Sequence, residues 1–221
     1  MASQGSIIKS SDQESVTLGA KIRIARLERG YGVRELARVL KCSPSLISQI
    51  ERDKANPSVN TLYSIANVLG ISVDSMFAPH SKSSAVSNVD GRASASLTSL
   101  PASTTPTTVQ RRDSRLAINL DHGVRWELLT STPEHNNEFM EVTYPAGSSS
   151  AGDNEFVRHS GREYAIVLEG SLSAQIGDEI FELEHGDSLS FDPTTPHRFW
   201  NDGATVVRAV WFVQDRWTPG N

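Results

Sequence analysis

The spacing of apolar positions along this chain changes between its two halves. From Leu18 to Phe77 the apolar residues recur every three or four positions, which is the spacing of amphipathic helices. From Val124 to Val213 they alternate with polar residues in short runs separated by glycine-containing turns, which is typical of half-buried strands. The pattern therefore predicts an α-helical unit followed by an all-β unit.

Five short helices are predicted in the first unit. Thr17 is placed to cap the first helix, which Gly30 ends, and Ser43 is an N-cap followed by Pro44 at the first helical position of the third. Helices this short and this close together in sequence form a compact bundle. The predicted helices are Leu18–Arg29, Val33–Leu40, Pro44–Arg52, Val59–Leu69 and Val73–Phe77.

Eight short strands are predicted in the second unit. Their number and even spacing are typical of an antiparallel sandwich or barrel. Their turns include Glu169–Gly170, Gly177–Asp178 and His185–Gly186. The predicted strands are Val124–Leu129, Phe139–Tyr144, Glu163–Leu168, Ser171–Ile176, Glu179–Leu183, Ser188–Phe191, His197–Asn201 and Val206–Val213.

The segment between the two units follows neither period. From Ser81 to Thr108, 13 of 28 residues are Ser or Thr, and such a segment buries too little apolar surface to offset the entropy of ordering it. We therefore predict a flexible linker at residues 79–115. The full division is a disordered tail at residues 1–16, a helical domain at 17–78, the linker, and a β-domain at 116–216.

Charge follows the same division. Residues 1–80 hold ten Lys or Arg against seven Asp or Glu, whereas residues 116–221 hold six against seventeen. A nucleic acid partner would therefore bind the N-terminal half of the chain, because the acidic C-terminal half repels phosphates. No apolar run approaches the roughly 18 residues of a membrane span, and Cys42 is the single cysteine. These features predict a cytoplasmic protein without a membrane segment.

A helix-turn-helix pattern occupies Gly32–Ser58, which reads GVRELARVLKCSPSLISQIERDKANPS. It resembles the phage-repressor-like (XRE-type) bacterial regulators, whose five-helix pattern covers residues 17–77. The resemblance implies that the third helix lies in the major groove of DNA, where Gln49 can bond an adenine edge and Leu46 a thymine methyl. Flanking cations would bind phosphates. The predicted DNA-binding residues are Arg34, Ser43, Ser45, Leu46, Ser48, Gln49, Arg52 and Lys54.

Two residues depart from the usual form of this pattern. Lys41 and Asp53 stand in turns where glycine is common, and both turns are expected to need a positive φ. An alternative interpretation of the unit is a protein-interaction module with solvated charges. If it binds DNA, a half-site read by so few side chains is weakly specific, which predicts a homodimer or a dimer of dimers on a palindromic operator in the nucleoid.

Two segments of the β-domain resemble the paired motifs of the cupin family, which are antiparallel double-stranded β-helix barrels. The first reads VRHSGREYAIVLEG from Val157, and the second reads GDSLSFDPTTPHRFWN from Gly186. Val157 stands where the first histidine of the motif belongs. The matching residues are His159, Glu163 and Gly170 in the first segment, and Gly186, His197 and Asn201 in the second.

The cupin resemblance implies that the barrel brings His159, Glu163 and His197 together. Two imidazoles and one carboxylate form the ligand set of non-haem iron(II) sites and also suit zinc with a bound water. The alternative is a metal-free ligand pocket in which both histidines are satisfied polar residues. The predicted pocket walls are Val157, Tyr164, Phe199 and Trp211.

These features favour a sequence-specific DNA-binding transcriptional regulator. Its cupin barrel would bind a small-molecule effector, with or without one divalent metal (Zn or Fe), and modulate operator binding by the dimer. The second hypothesis is an enzyme, a non-haem iron(II) oxygenase similar to a phosphonate epoxidase that uses His159, Glu163 and His197. The third is an antitoxin-like partner of another protein, which the absence of a docking tail disfavours.

Overall fold

The computed structural model describes residues 17–77, 108–134, 137–152 and 155–214. The predicted tail at residues 1–16 and most of the predicted linker lie outside the described residues. Within the described part, the helical unit and the β-unit form as predicted, so the fold class is confirmed.

Five α-helices lie within residues 17–77, each at its predicted place. The predicted caps begin and end them: Oγ1 of Thr17 accepts from the amide of Ala20, Oγ of Ser43 accepts from the amide of Leu46, and Gly70 ends the fourth helix in the left-handed conformation. The helices are α1 Leu18–Glu28, α2 Val33–Val39, α3 Pro44–Ile50, α4 Val59–Leu69 and α5 Val73–Phe77.

The two turns of the helix-turn-helix adopt the predicted backbone conformation. Lys41 has φ 54° and Asp53 has φ 53°. Asp53 also joins the end of α3 to the start of α1, because its carboxylate accepts from Oγ1 of Thr17 at 2.5 Å and from the amide of Gly19 at 3.0 Å. An aspartate that tolerates the left-handed region therefore provides a contact that glycine would lack.

A buried ion pair connects α1 to the end of α3. The guanidinium of Arg26 donates from Nε to Oε1 of Glu51 at 2.5 Å and from Nη2 to Oε2 at 2.9 Å, and its Nη1 donates to the carbonyl of Tyr31 at 2.7 Å. Both side chains of the pair are less than a tenth exposed. The bidentate geometry pairs the two buried charges with each other. The hydrogen bond to Glu51 raises the pKa of Arg26 above its usual value.

Nine strands form in the described part of the β-unit. All eight predicted strands are present with ends shifted by at most two residues, and Ala117–Asn119 is an additional short strand. The strands are β1 Ala117–Asn119, β2 Arg125–Leu128, β3 Asn137–Tyr144, β4 Arg162–Glu169, β5 Leu172–Ile176, β6 Glu179–Leu183, β7 Ser188–Phe191, β8 His197–Trp200 and β9 Val207–Gln214.

The strands form two antiparallel sheets around an apolar interior. One has the order β1-β2-β3-β9-β4-β7, and the other has the order β6-β5-β8. Phe199 of β8 contacts Trp211 of β9 across the interior, with ring centroids 5.1 Å apart. Val157 forms an isolated antiparallel bridge with His197, which connects the segment before β4 to the smaller sheet.

The last residues of the predicted linker are packed against the larger sheet. Arg112–Ser114 form a 3-10 turn, and Arg115 donates to the buried carboxylate of Glu141 at 2.8 Å. Burial alone would raise the pKa of Glu141, but hydrogen bonds from Arg208 and Arg115 lower it below its usual value. Arg115, the last residue of the predicted linker, is therefore held against the β-unit by this ion pair.

The helical unit packs directly on the β-unit. The amide of Asp121, just after β1, donates to the carbonyl of Pro57 at 2.9 Å, and α4 follows that proline.

No helix in the described ranges has the length and hydropathy needed to cross a bilayer.

Replacing Arg26 with alanine is expected to lower the free energy of unfolding of the helical unit by about 3–5 kcal/mol, because Glu51 would stay buried without its partner. Urea unfolding followed by circular dichroism measures the change. Arg23→Ala, at an exposed position of the same helix, is the matched control. Equal midpoints for the two variants would show that the buried pair contributes nothing.

Candidate functional site

The three predicted metal ligands meet inside the barrel. Glu163 points inward from β4, His197 points inward from β8, and His159 lies in the segment before β4. Each is at most 5% exposed. One potential ligand atom from each lies within 4.8 Å of the others.

Backbone pairing explains why His159 reaches this position. Val157 and His197 exchange both amide–carbonyl hydrogen bonds, at 2.9 and 3.1 Å, and the amide of His159 donates to the carbonyl of Pro193 at 3.1 Å. The alternation of an extended segment then directs Val157 and His159 inward and leaves Arg158 exposed, as predicted.

The ring orientations direct both Nε2 atoms at Glu163. Nδ1 of His159 lies 2.9 Å from the carbonyl of Ser160, and Nδ1 of His197 lies 3.0 Å from the carbonyl of Thr195. A carbonyl only accepts, so each Nδ1 carries the proton and donates it. In the neutral imidazoles the Nε2 lone pairs therefore face the carboxylate.

The two nitrogen lone pairs repel the negative carboxylate that they face, unless a positive charge lies between them. Nε2 of His159 lies 2.5 Å from Oε1 of Glu163, and Nε2 of His197 lies 3.7 Å from the same oxygen. The shorter contact lacks hydrogen-bond geometry, so Nε2 of His159 has no hydrogen-bond partner among the described residues. An imidazolium proton or a bound cation would relieve the repulsion. The donor set and this orphaned nitrogen both fit a divalent metal.

Trp211 orients the carboxylate from its other side. Its indole Nε1 donates to Oε2 of Glu163 at 3.2 Å, which leaves Oε1 directed at the histidines. Tyr144 lies in the same interior, and burial together with the charge of Glu163 raises the pKa of its phenol above the usual range. Tyr144 is therefore a neutral hydroxyl at physiological pH.

A small cavity adjoins Glu163 and His197. Its volume is about 30 Å³, which is enough for one water molecule or one ion and well below the roughly 150 Å³ of a cavity that binds benzene. Val157, Phe199 and Trp211 line it as predicted. The remaining lining residues are Val59, Tyr63, Trp126, Met140, Val142, Tyr144, Ser150, Glu163 and His197.

Tyr164 does not line the cavity, and its predicted role as a pocket wall is wrong. Its side chain lies on the outer face of the sheet, 42% exposed, against Phe212. Adjacent residues of a strand point to opposite faces, so the inward position of Glu163 requires Tyr164 to point outward.

Tyr63 of the helical unit is a pocket residue that the sequence did not indicate. Its ring lies 4.7 Å from the ring of His159 and 5.5 Å from that of Trp126, measured between centroids. Its hydroxyl donates to Oε2 of Glu138 at 3.2 Å. In sequence it occupies an ordinary apolar position of α4, and no local pattern distinguishes it from a residue of the helical core.

Two cupin-motif residues have structural roles. Gly170 has φ 81°, and a Cβ there would lie 2.9 Å from the carbonyl oxygen of Val206. The side-chain amide of Asn201 donates to the carbonyls of Tyr144 and Thr205, both at 2.8 Å. These residues hold the strand ends around the site and do not enter it.

Helix α3 exposes a short polar face. Ile47 and Ile50 are buried against the other helices, whereas Ser45 and Gln49 are exposed. Nε2 of Gln49 donates to Oγ of Ser45 at 3.1 Å, so the two predicted base-reading residues are neighbours. The predicted phosphate-binding residues Arg34, Arg52 and Lys54 are exposed at its borders.

The exposed face of α3 is narrower than the sequence suggested. Leu46, predicted to point outward, is half-buried and packs against the helical core, because its position on α3 is close to that of Ile47 and Ile50. Ser48 is half-buried as well. Ser43 is exposed, but its hydroxyl is engaged as the N-cap acceptor.

Comparison with protein families assigns both units. Residues 22–76 match the family described as Helix-turn-helix, and residues 140–213 match the family described as Cupin domain. The first match contains α3, and the second contains His159, Glu163 and His197.

Two known regulators align with most of this chain. The HTH-type transcriptional regulator PuuR of Escherichia coli (strain K12) is 25% identical over 198 residues, which is 89% of this chain and 94% of that protein. The regulator SutR of the same organism is 22% identical over 86% of this chain and 90% of that protein.

A solved structure supports the same architecture. The crystal structure of an HTH_3 family transcriptional regulator from Vibrio cholerae superposes with a TM-score of 0.58 at 19% identity, covering 93% of this chain and 97% of that one. This similarity shows the fold. By its two domain matches and its full-length relatives, this chain belongs with the DNA-binding helix-turn-helix transcriptional regulators that carry a cupin domain.

Proposed function

We propose that this regulator reads an operator through α3 as a dimer, and that its cupin barrel binds a small effector that changes operator affinity. The observation that carries the proposal is the exposed Ser45–Gln49 pair bordered by cations. It belongs to a unit that packs directly on the cupin cavity through α4. The unit that would read DNA therefore contacts the cavity that would bind the effector.

The chemistry of α3 suits a major groove. The amide of Gln49 offers one donor and one acceptor in one plane, which matches the N6 and N7 edge of adenine. Arg52, Lys54 and Arg34 add phosphate contacts, which give affinity without sequence information. The cupin half, with seventeen acidic against six basic residues, repels DNA and restricts the contact to the helical unit.

Dimerisation follows from the small size of this reading face. Two exposed side chains distinguish only a few base pairs, so useful specificity needs a second helical unit on the same operator. A palindromic site with half-sites separated by about one helical turn is the expected target.

A divalent metal, zinc or iron, fits the cupin centre. His159, Glu163 and His197 would hold it, and the carbonyls that accept from each Nδ1 would orient the imidazoles. When bound, the metal would supply a Lewis acid that a donor atom of the effector can ligate. The cavity of about 30 Å³ leaves room for the ion or one water beside these ligands.

The same three ligands favour a second candidate function, a mononuclear iron oxygenase. Two histidines and one carboxylate leave coordination positions open for substrate and oxygen. Iron analysis and oxygen consumption test this candidate alongside a gel shift with the DNA upstream of the gene. A metal-free protein that shifts its own upstream DNA would eliminate the enzyme.

Gln49→Ala is expected to weaken operator binding by about 1–3 kcal/mol and to relax the preference at one base pair in each half-site. Arg52→Ala is expected to weaken binding to all sequences about equally and to reduce the salt slope. Fluorescence anisotropy with operator DNA selected from a random library measures both effects, together with the number of chains bound.

The control for these variants is Asn67→Ala on the exposed face of α4, remote from α3 in sequence. We expect its operator affinity to equal that of the unchanged chain. Uniform losses for Gln49→Ala across all operator sequences would contradict base reading by this residue, and one chain per operator would contradict the dimer.

His159→Ala is expected to lower bound metal from about one ion per chain to a small fraction of that value, because two ligands hold an ion far more weakly than three. Elemental analysis after dialysis against zinc or iron(II) measures the ratio. His122→Ala, at a half-exposed histidine outside the cluster, is the matched control. Equal metal content in the two variants would exclude His159 as a ligand, and an unchanged chain that binds no metal would leave a metal-free pocket as the correct interpretation.

A further inference from the structure

Tyr63 occupies space inside the cupin domain although it belongs to the helical unit. It is 4% exposed, and it lines the cavity together with Val59 of the same helix. With this ring in place, the cavity beside Glu163 and His197 measures about 30 Å³. A ligand the size of an aromatic ring, which needs roughly 150 Å³, therefore does not fit at this position while α4 is docked.

Tyr63 contacts the cupin interior through its ring and through its hydroxyl, as a small aromatic ligand would. Its ring makes tilted contacts with the rings of Trp126 and His159, and its hydroxyl donates to the buried carboxylate of Glu138. Glu138 is 2% exposed, and a buried carboxylate is strongly stabilised by such a donor. Two rings and one acceptor thus form a built subsite that this tyrosine fills.

We propose that Tyr63 occupies the effector subsite, so that docking of α4 and binding of the effector exclude each other. The inference rests on the proposed function and names the regulation of that same site. The effector must then displace Tyr63 from the subsite. The helical unit is released when the ligand binds the subsite more strongly than Tyr63 does. This unequal affinity for docked and released arrangements is what allosteric control requires.

The subsite also defines the chemical class of the ligand. A molecule that replaces Tyr63 must present a flat unsaturated face to Trp126 and His159. An O–H or N–H donor on the ligand would replace the hydrogen bond that Glu138 accepts from the phenol. Small aromatic or conjugated compounds with a hydroxyl or amino group satisfy both conditions.

Release of α4 would also affect the position of α3, because the two helices are close together in the chain. Pro57 lies between α3 and α4, and its carbonyl accepts from the amide of Asp121 of the β-unit. Release of the helical unit from the β-unit also breaks this hydrogen bond. The exchange rate of the Asp121 amide therefore reports docking.

The direct test uses 4-methylphenol, the detached side chain of tyrosine, as the probe. Tyr63→Ala in the full chain opens the subsite, and isothermal titration calorimetry is expected to show one probe bound per chain with a dissociation constant of about 1 mM or tighter. The unchanged chain, Tyr63→Phe and the control Asn67→Ala are expected to bind the probe at least about tenfold more weakly. Equal affinity for all four proteins, or no binding to a Tyr63→Ala protein with an unchanged circular dichroism spectrum, would overturn the proposal.

Tyr63→Phe provides a second measurement that does not depend on the stability of the alanine variant. It keeps the ring and loses the hydrogen bond to Glu138, so hydrogen exchange at Asp121 is expected to accelerate about tenfold, with no change in Asn67→Ala. Unchanged exchange in Tyr63→Phe would contradict a docking role for this contact. Neither measurement uses DNA. If both give the contradicting result while the unchanged chain still binds its operator, only the proposal that Tyr63 occupies the effector subsite is rejected. Absence of operator binding in the unchanged chain would instead reject the proposed function.

Discussion

Glu163 is a carboxylate with 3% of its surface exposed inside an apolar barrel, and the geometry of the site follows from that burial. A buried charge is strongly unfavourable unless it is hydrogen-bonded and paired with a cation. Trp211 supplies the hydrogen bond to one oxygen, while His159 and His197 direct Nε2 atoms at the other. The carbonyls behind both rings keep those nitrogens unprotonated in the neutral form. A cation at this centre is therefore the natural counterpart of the buried acid.

The helical unit takes part in the same interior. Its Tyr63 covers the cavity and donates to Glu138, a second buried carboxylate of the β-unit. The helix-turn-helix domain thus contributes a wall to the cavity proposed to bind the effector. Under this proposal the two activities would be coupled without a long pathway between them, because Tyr63 belongs to one domain and lines the cavity of the other. The coupling requires only that a ligand and a tyrosine compete for one volume.

Local rules predicted a large part of the fold and of the centre. Capping residues located the helices, and positive φ at Lys41 and Asp53 followed from their place in turns. Strand alternation placed Val157 and His159 on one face, but the same rule excludes Tyr164 from the pocket once Glu163 points inward. Leu46, expected to face outward, is only partly exposed, because the burial of a side chain near the edge of a helical stripe is decided when the neighbouring helices pack.

The sequence by itself determined the two units, the reading helix and the identity of the three candidate ligands, because each depends on periodicity, capping or motif spacing within one unit. Only the tertiary structure decided that the orphaned nitrogen of His159 faces Glu163, and that Tyr63 fills the space beside it. Tyr63 and Glu138 are 75 positions apart, across the Ser/Thr-rich segment. Their contact depends on how two surfaces fit, and no local pattern encodes which face of α4 meets the barrel.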